Sequence, residues 1–142
     1  MALKTKAQSM PFASGTFDAV ISIGSFEIIG NDRPIALAEM VRVAKSGARI
    51  GIAEPMCLPG LIPADIPDSN TKRSFQECFA TLSWKCSLFS EQGLKIVDKY
   101  YFDKAYQWWL EYRVKVDEEE QQFITQDNGR WLLLGLVVGE KQ

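Results

Sequence analysis

Two kinds of apolar pattern recur along this chain: short unbroken runs, and stripes that repeat every three to four residues. Runs of the first kind mark strands buried on both faces. Phe17 to Ile23 (FDAVISI) is one, with Asp18 and Ser22 as its only polar members. Pro11 and Gly15 bracket the loop before it, and Gly24 and Ser25 end it. Arg49 to Ala53 (RIGIA) is a second run. Leu94 to Phe102 (LKIVDKYYF) alternates moderately and predicts a third strand. Trp131 to Val138 (WLLLGLVV) is the most apolar run and predicts an inner strand.

Stripes of the second kind predict helices between these runs. Leu37, Ala38, Val41 and Ala44 share one face of a helix that Asp32 caps, with Pro34 in its first turn, where a missing N–H costs nothing. Lys45 suits the last turn and Gly47 the left-handed position beyond it. Strand, helix and strand over residues 10–54 form one crossover unit of a parallel sheet. Residues 54–70 carry Pro55, Pro59, Pro63 and Pro67, which excludes helix or inner strand; the interleaved apolar residues fit a lid over residues 55–70, the alternative being a mobile crossover with no ligand role. A helix over residues 72–84 would present Phe75, Phe79 and Leu82, continue to Gln92 and stop at Gly93. Asp103 would cap a helix striped by Ala105, Trp108, Trp109, Tyr112 and Val116. Asp117 to Glu120 reads as a solvated acidic face, and Asp127-Asn128-Gly129 as a turn. Met1 to Ser9 reads as a frayed start or a brief edge strand.

The 142 residues suggest one domain. A net charge of −2 gives no basic face, so nucleic acid is not the expected partner, and no apolar run is long enough to span a membrane. Three cysteines (Cys57, Cys78, Cys86), odd in number and without Cys-x-x-Cys spacing, predict free thiols in a cytoplasmic protein that opens on no secretory signal. The chain has no histidine, which removes His-dependent triads, His-x-x-x-His metal pairs and a His general base; no metal is expected. Chemistry falls to carboxylates, Tyr, Lys, Cys or a reactive cofactor.

Four segments, in order, resemble class I S-adenosylmethionine-dependent methyltransferases of the small-molecule type. MPFASGTFDAVIS resembles the approach to the family's fourth strand. LAEMVRVAKSGARIGIAEP resembles its Glu-x-x-Arg-Val-Leu-Lys-Pro-Gly-Gly segment: Glu39, Arg42, Val43, Lys45 and Gly47 match, while Ser46 and Ala48 depart. SEQGLKIVDKY and RWLLLGLVVGEK resemble the segments of its sixth and seventh strands. The resemblance implies an α/β fold: an incomplete Rossmann-like methyltransferase sheet in the order 4-5-7-6, last strand antiparallel, with helices on both faces. Residues 1–142 would form one partial domain: the unit 10–54, the lid 55–70, and substrate-side helices with the last two strands over 71–142. Strands 1 to 3 and the Gly-x-Gly-x-Gly motif of the family have no counterpart here, and Lys6 stands where the family carries an adenine-contacting Asp.

By this resemblance Ser22, Ile23, Gly24 and Ser25 would line the side facing S-adenosylmethionine, and Phe26 and Glu27 would face the transferred methyl. Glu54 is expected at a strand end, where α/β sheets place ligand-binding groups. Glu27 and Glu54 are the candidate catalytic acids. Phe26, Tyr101, Trp108, Trp109 and Tyr112, with Tyr100, would form a substrate wall, and the Tyr and Trp members could cage an amine. The expected function is methyl transfer to a small molecule, with a cofactor-binding half supplied elsewhere. Alternatives are a non-catalytic half-domain and a carrier of an apolar ligand under the lid. Strand 17–23 would leave an apolar edge unpaired, which predicts a homodimer.

Overall fold

The computed structural model describes residues 1–142. Four strands, β1 (Phe17–Ile23), β2 (Ala44–Cys57), β3 (Leu94–Tyr101) and β4 (Leu132–Lys141), form one sheet in the order β1-β2-β4-β3. β1 and β2 run parallel, with Ala19 opposite Arg49 and Ile23 opposite Ala53. β4 lies antiparallel to both β2 and β3. The order and directions are those expected from the resemblance to strands 4-5-7-6.

Helix α1 (Arg33–Val43) connects β1 to β2, preceded by a 3-10 segment, Phe26–Asp32, that kinks at Gly30. Its buried face is Ala36, Leu37, Met40 and Val43; Ala38 and Val41 are only half-buried, so the expected stripe is rotated. The Asp32 side chain makes no capping bond and instead accepts from Gln8 Nε2 at 3.3 Å. β2 begins as soon as α1 ends. It carries Gly47 inside it at a φ of 80°, within the irregular start where the register with β1 shifts. β2 also runs on through Glu54 and Pro55 to Cys57. Proline is tolerated there because β1's ladder has ended at Ala53, leaving no neighbour to miss the N–H.

The matched pair Glu39 and Arg42 holds the segment before β1. Arg42 donates to Phe12 O at 2.8 Å and Met10 O at 3.1 Å, while Glu39 accepts from Met10 N at 2.9 Å. Residues 1–9 contain one isolated bridge, Lys6 to Ser9, and no strand.

α2 (Asn70–Cys78) and α3 (Leu82–Glu91) are separate helices, capped by Ser69 and Thr81, where one continuous helix was expected. Phe79 is extended, so Leu82 does not continue the face of Phe75 and Phe79. α4 (Ala105–Tyr112) starts without a cap from Asp103, and Val116 lies beyond its end. α5 (Glu118–Asp127) occupies what reads as an acidic surface run. The Asp117 side chain accepts from Glu120 N at 2.9 Å, and three glutamates complement the positive helix start.

Two cores result. α1 and α3 cover one face of the sheet around Ile50, Ile52, Met56 and Val137, each fully buried aliphatic contributing about 2 kcal/mol. α3 sits so close that a Cβ on Gly139 would lie 2.8 Å from Phe89. The second core joins Ile62 and Ile66 to Trp109, Phe123, Trp131 and Leu132. Trp131 Nε1 donates to Gly60 O at 3.1 Å, so the proline-rich segment is strapped into this core; of residues 55–70 only Pro55, near the end of β2, lines the cleft described next. On the remaining face, Ile21 and Ile23 of β1 are 70% and 74% exposed.

Candidate functional site

The 3-10 segment turns off the end of β1 and drops Phe26 and Glu27 into the protein. Arg33 fixes that turn. Its Nε donates to Gly30 O at 2.9 Å, its Nη1 donates to Cys78 O at 3.2 Å, and its guanidinium stacks 4.5 Å above the Trp84 ring. One side chain thus joins the segment, the end of α2 and the start of α3.

Behind this turn lies a buried ionic cluster. Lys85 of α3, 0% exposed, is ion-paired with Glu54 of β2, 2% exposed. The Lys85 ammonium also sits 4.7 Å from the centroid of Phe26 and 5.5 Å from that of Trp84, cation–π contacts that offset part of its desolvation. Glu27, 6% exposed, stands beside Glu54. Burial, then the neighbouring Glu27 carboxyl, push Glu54 up to about 7 against the pull of Lys85. Burial lowers Lys85 in turn, opposed by Glu54. Two acids against one ammonium in a dry site favour a proton retained by the acids.

Glu27 also faces a cleft of about 510 Å³ at the carboxyl ends of β1 and β2. Gly24 and Pro55 form its floor at the sheet, and Phe75, Phe79, Trp108, Trp109 and Tyr112 form its walls. The aromatic rings brace one another: Phe75 lies 4.7 Å from Phe79 and 6.4 Å from Trp109, and Trp109 packs edge-on to Tyr112 at 5.7 Å. Trp109 Nε1 donates to Leu133 O at 3.2 Å, which fixes its ring. The cleft holds mostly apolar surface, a shape that excludes water from a small ligand.

The structure brings Glu27, Gly24, Trp108, Trp109 and Tyr112 to this cleft and sets Glu54 directly behind it. Glu54 lies inside β2, short of the strand's end at Cys57. Phe26 and Tyr101 do not reach the cleft. Phe26 is a core residue beneath Lys85. Tyr101 is a structural pin whose hydroxyl donates to Cys57 O at 2.8 Å and accepts from Leu82 N at 3.1 Å. Tyr100 packs on Phe102 at 5.2 Å. Ser22 and Ser25 bring their hydroxyls within 3.4 Å of each other at the end of β1, and Ile23 points to the open face.

Sequence reasoning missed Lys85, Arg33, Phe75 and Phe79. Lys85 had a signal, since it occupies an apolar position in the stripe Leu82, Lys85, Leu88, Phe89. A lysine there must be paired or exposed. No group of acids and cysteines in the structure is arranged to hold a metal ion.

The fold is an α/β arrangement of the kind found in methyltransferases. Residues 2–52 match the family model described as a methyltransferase domain. No curated protein matches the chain. Among solved structures, geranyl diphosphate C-methyltransferase from Streptomyces coelicolor A3(2) superposes with a TM-score of 0.76 at 17% identity, over 97% of this chain and 52% of that one. The [4+2]-cyclase SpnF superposes with a TM-score of 0.70 at 15% identity, over 96% of this chain and 55% of that one. The chain thus spans about half the length of these structures. No helix is long and apolar enough to cross a membrane.

Proposed function

We propose that this chain supplies the acceptor side of an S-adenosylmethionine-dependent methyl-transfer site for a small molecule, the cofactor's other contacts coming from residues outside it. The observation that carries the reading is the aromatic cleft at the carboxyl ends of β1 and β2, with Glu27 on its wall and Gly24 on its floor. Open α/β sheets bind ligands at that edge. Ser22, Ile23, Gly24 and Ser25 offer the cofactor one flank. Gly24 has a φ of 70° and open space around its Cα, so backbone is exposed to a ligand there. Bound S-adenosylmethionine supplies an already activated methyl group. The chain's own residues position an acceptor against it. Trp108, Trp109 and Tyr112 orient the acceptor and exclude water, and Glu27 accepts its proton, with Glu54 and Lys85 holding the Glu27 carboxyl in place. The test is calorimetric titration with S-adenosylmethionine and S-adenosylhomocysteine. Micromolar binding supports a site completed by association; no binding at millimolar ligand overturns cofactor binding by this chain.

A second reading, a half-domain that associates without catalysis, draws on β1. Its outer edge has no strand partner, and Ile21 and Ile23 stand exposed beside it. In either reading we propose a homodimer in which β1 strands pair across a two-fold axis, in the cytoplasm, where Cys57, Cys78 and Cys86 stay reduced. A monomer by light scattering, with fast amide exchange along β1, refutes the dimer.

A further inference from the structure

Every charged side chain that lines the aromatic cleft is an acid: Glu27 on one wall and Glu120 of α5 on another. No lysine or arginine faces it. The walls are aromatic rings, whose faces carry negative quadrupole potential. Glu27 is more than nine-tenths buried, and besides the neighbouring Glu54 carboxyl its side chain has no hydrogen-bond partner within the chain. An unmet buried acceptor of this kind carries a desolvation cost that a donor from a ligand removes.

The charge count behind the cleft points the same way. Lys85 is ion-paired with Glu54. Arg33 is committed to two backbone carbonyls and the Trp84 ring, and forms no ion pair with either acid. Glu27 and Glu54 thus share the single Lys85 ammonium, which leaves the cluster one cation short on the side that meets the aromatic walls.

Taking the cleft as the acceptor site proposed above, we infer that its ligand is a protonated amine on an apolar body, the ammonium donating to Glu27 and lying against the Trp108 and Trp109 faces. A neutral alcohol would satisfy one lone pair of Glu27 but gains nothing from the rings. An apolar carboxylate would meet Glu27 and Glu120 as like charges. The selectivity is therefore amine over alcohol over carboxylate.

Three probes of matched shape test this on the whole chain without cofactor: 4-phenylbutylamine, 4-phenylbutanol and 4-phenylbutyrate, followed by tryptophan fluorescence and calorimetry at about pH 7.5, where an alkylamine is protonated and a carboxylic acid ionised. The amine is expected to bind about tenfold or more tighter than the alcohol, with the carboxylate weakest. Glu27→Gln should abolish the preference for amine while keeping alcohol binding. Trp108→Leu, at a half-exposed position that does not threaten folding, should weaken the amine more than the alcohol. Equal affinities for amine and alcohol in the wild-type chain overturn the inference whether or not the variants fold. So does a carboxylate that binds as well as the amine. If S-adenosylmethionine fails to bind while the amine preference holds, methyl transfer falls and the ligand assignment stands. The reverse result sinks the amine alone.

Discussion

Replacing Glu54 by glutamine separates the buried cluster's contribution from that of every other titrating group. Glu54 is 2% exposed, and its carboxyl is raised from an ordinary 4.5 to about 7. The folded chain therefore keeps a proton through a range in which the unfolded chain has given it up. Stability from this group is fully present below 4.5 and is lost as pH rises through 7. The whole displacement is worth about 3–4 kcal/mol, at about 1.4 kcal/mol per pH unit, and the interval from about pH 5 to about pH 8 captures roughly three-quarters of it. The amide of the Glu54→Gln variant would imitate the protonated acid at every pH. At about pH 5 the variant should match the wild type within about 1 kcal/mol. By about pH 8 the wild type should have lost roughly 2–3 kcal/mol that the variant keeps. Lys85 remains in both proteins; without a counter-charge it loses its proton more easily, which does not lower the variant's stability as pH rises. Urea unfolding at intervals of about one pH unit across this range, read by tryptophan fluorescence, gives both curves. Parallel curves would refute the argument, because they would mean that Glu54 titrates alike in the folded and unfolded chain.

Three further outcomes follow from packing. Gly139→Ala places a Cβ 2.8 Å from Phe89 and 3.0 Å from Leu94, so overpacking should cost about 1–3 kcal/mol in urea unfolding at unchanged slope. Asp117→Ala removes the cap of α5 and should cost about 1 kcal/mol, seen as a lower thermal midpoint. Arg42→Ala frees the carbonyls of Met10 and Phe12; amide exchange over residues 10–16 should quicken about tenfold or more, with little change in the global midpoint.

The strands were legible because their apolar runs are bounded by clear stops. β1 matches its reading residue for residue, and Gly93 and Asn128 adopt the positive φ that their turns need. α1 was placed between the expected cap and the expected stop, yet its buried face was misread because alanine fits either side of a helix. β2 was read too short since Pro55 reads as a breaker; only knowledge of where β1 stops explains why it is tolerated. α5 was hidden by its own acids, which read as solvent-loving while acting as cap and dipole partners. Glu27 and the Trp pair were singled out from their place in the chain, and they line the cleft. Lys85 and Arg33 were not, because their partners Glu54 and Cys78 lie far along the chain and only folding joins them. Tyr101 lies off the cleft; a tyrosine at a strand end reads as wall or pin alike.

Lys141 donates to Val41 O and Ala44 O, both at 2.8 Å, and so satisfies carbonyls at the end of α1 from a position 97 to 100 residues downstream. The first helix is therefore finished by the last strand. A nascent polypeptide that has made β1, α1 and β2 still lacks this clasp, so the early crossover should breathe until β4 slots between β2 and β3. Folding becomes a closing of the loop from both ends at once, and any ligand that tightens β1 also has leverage on the distant tail.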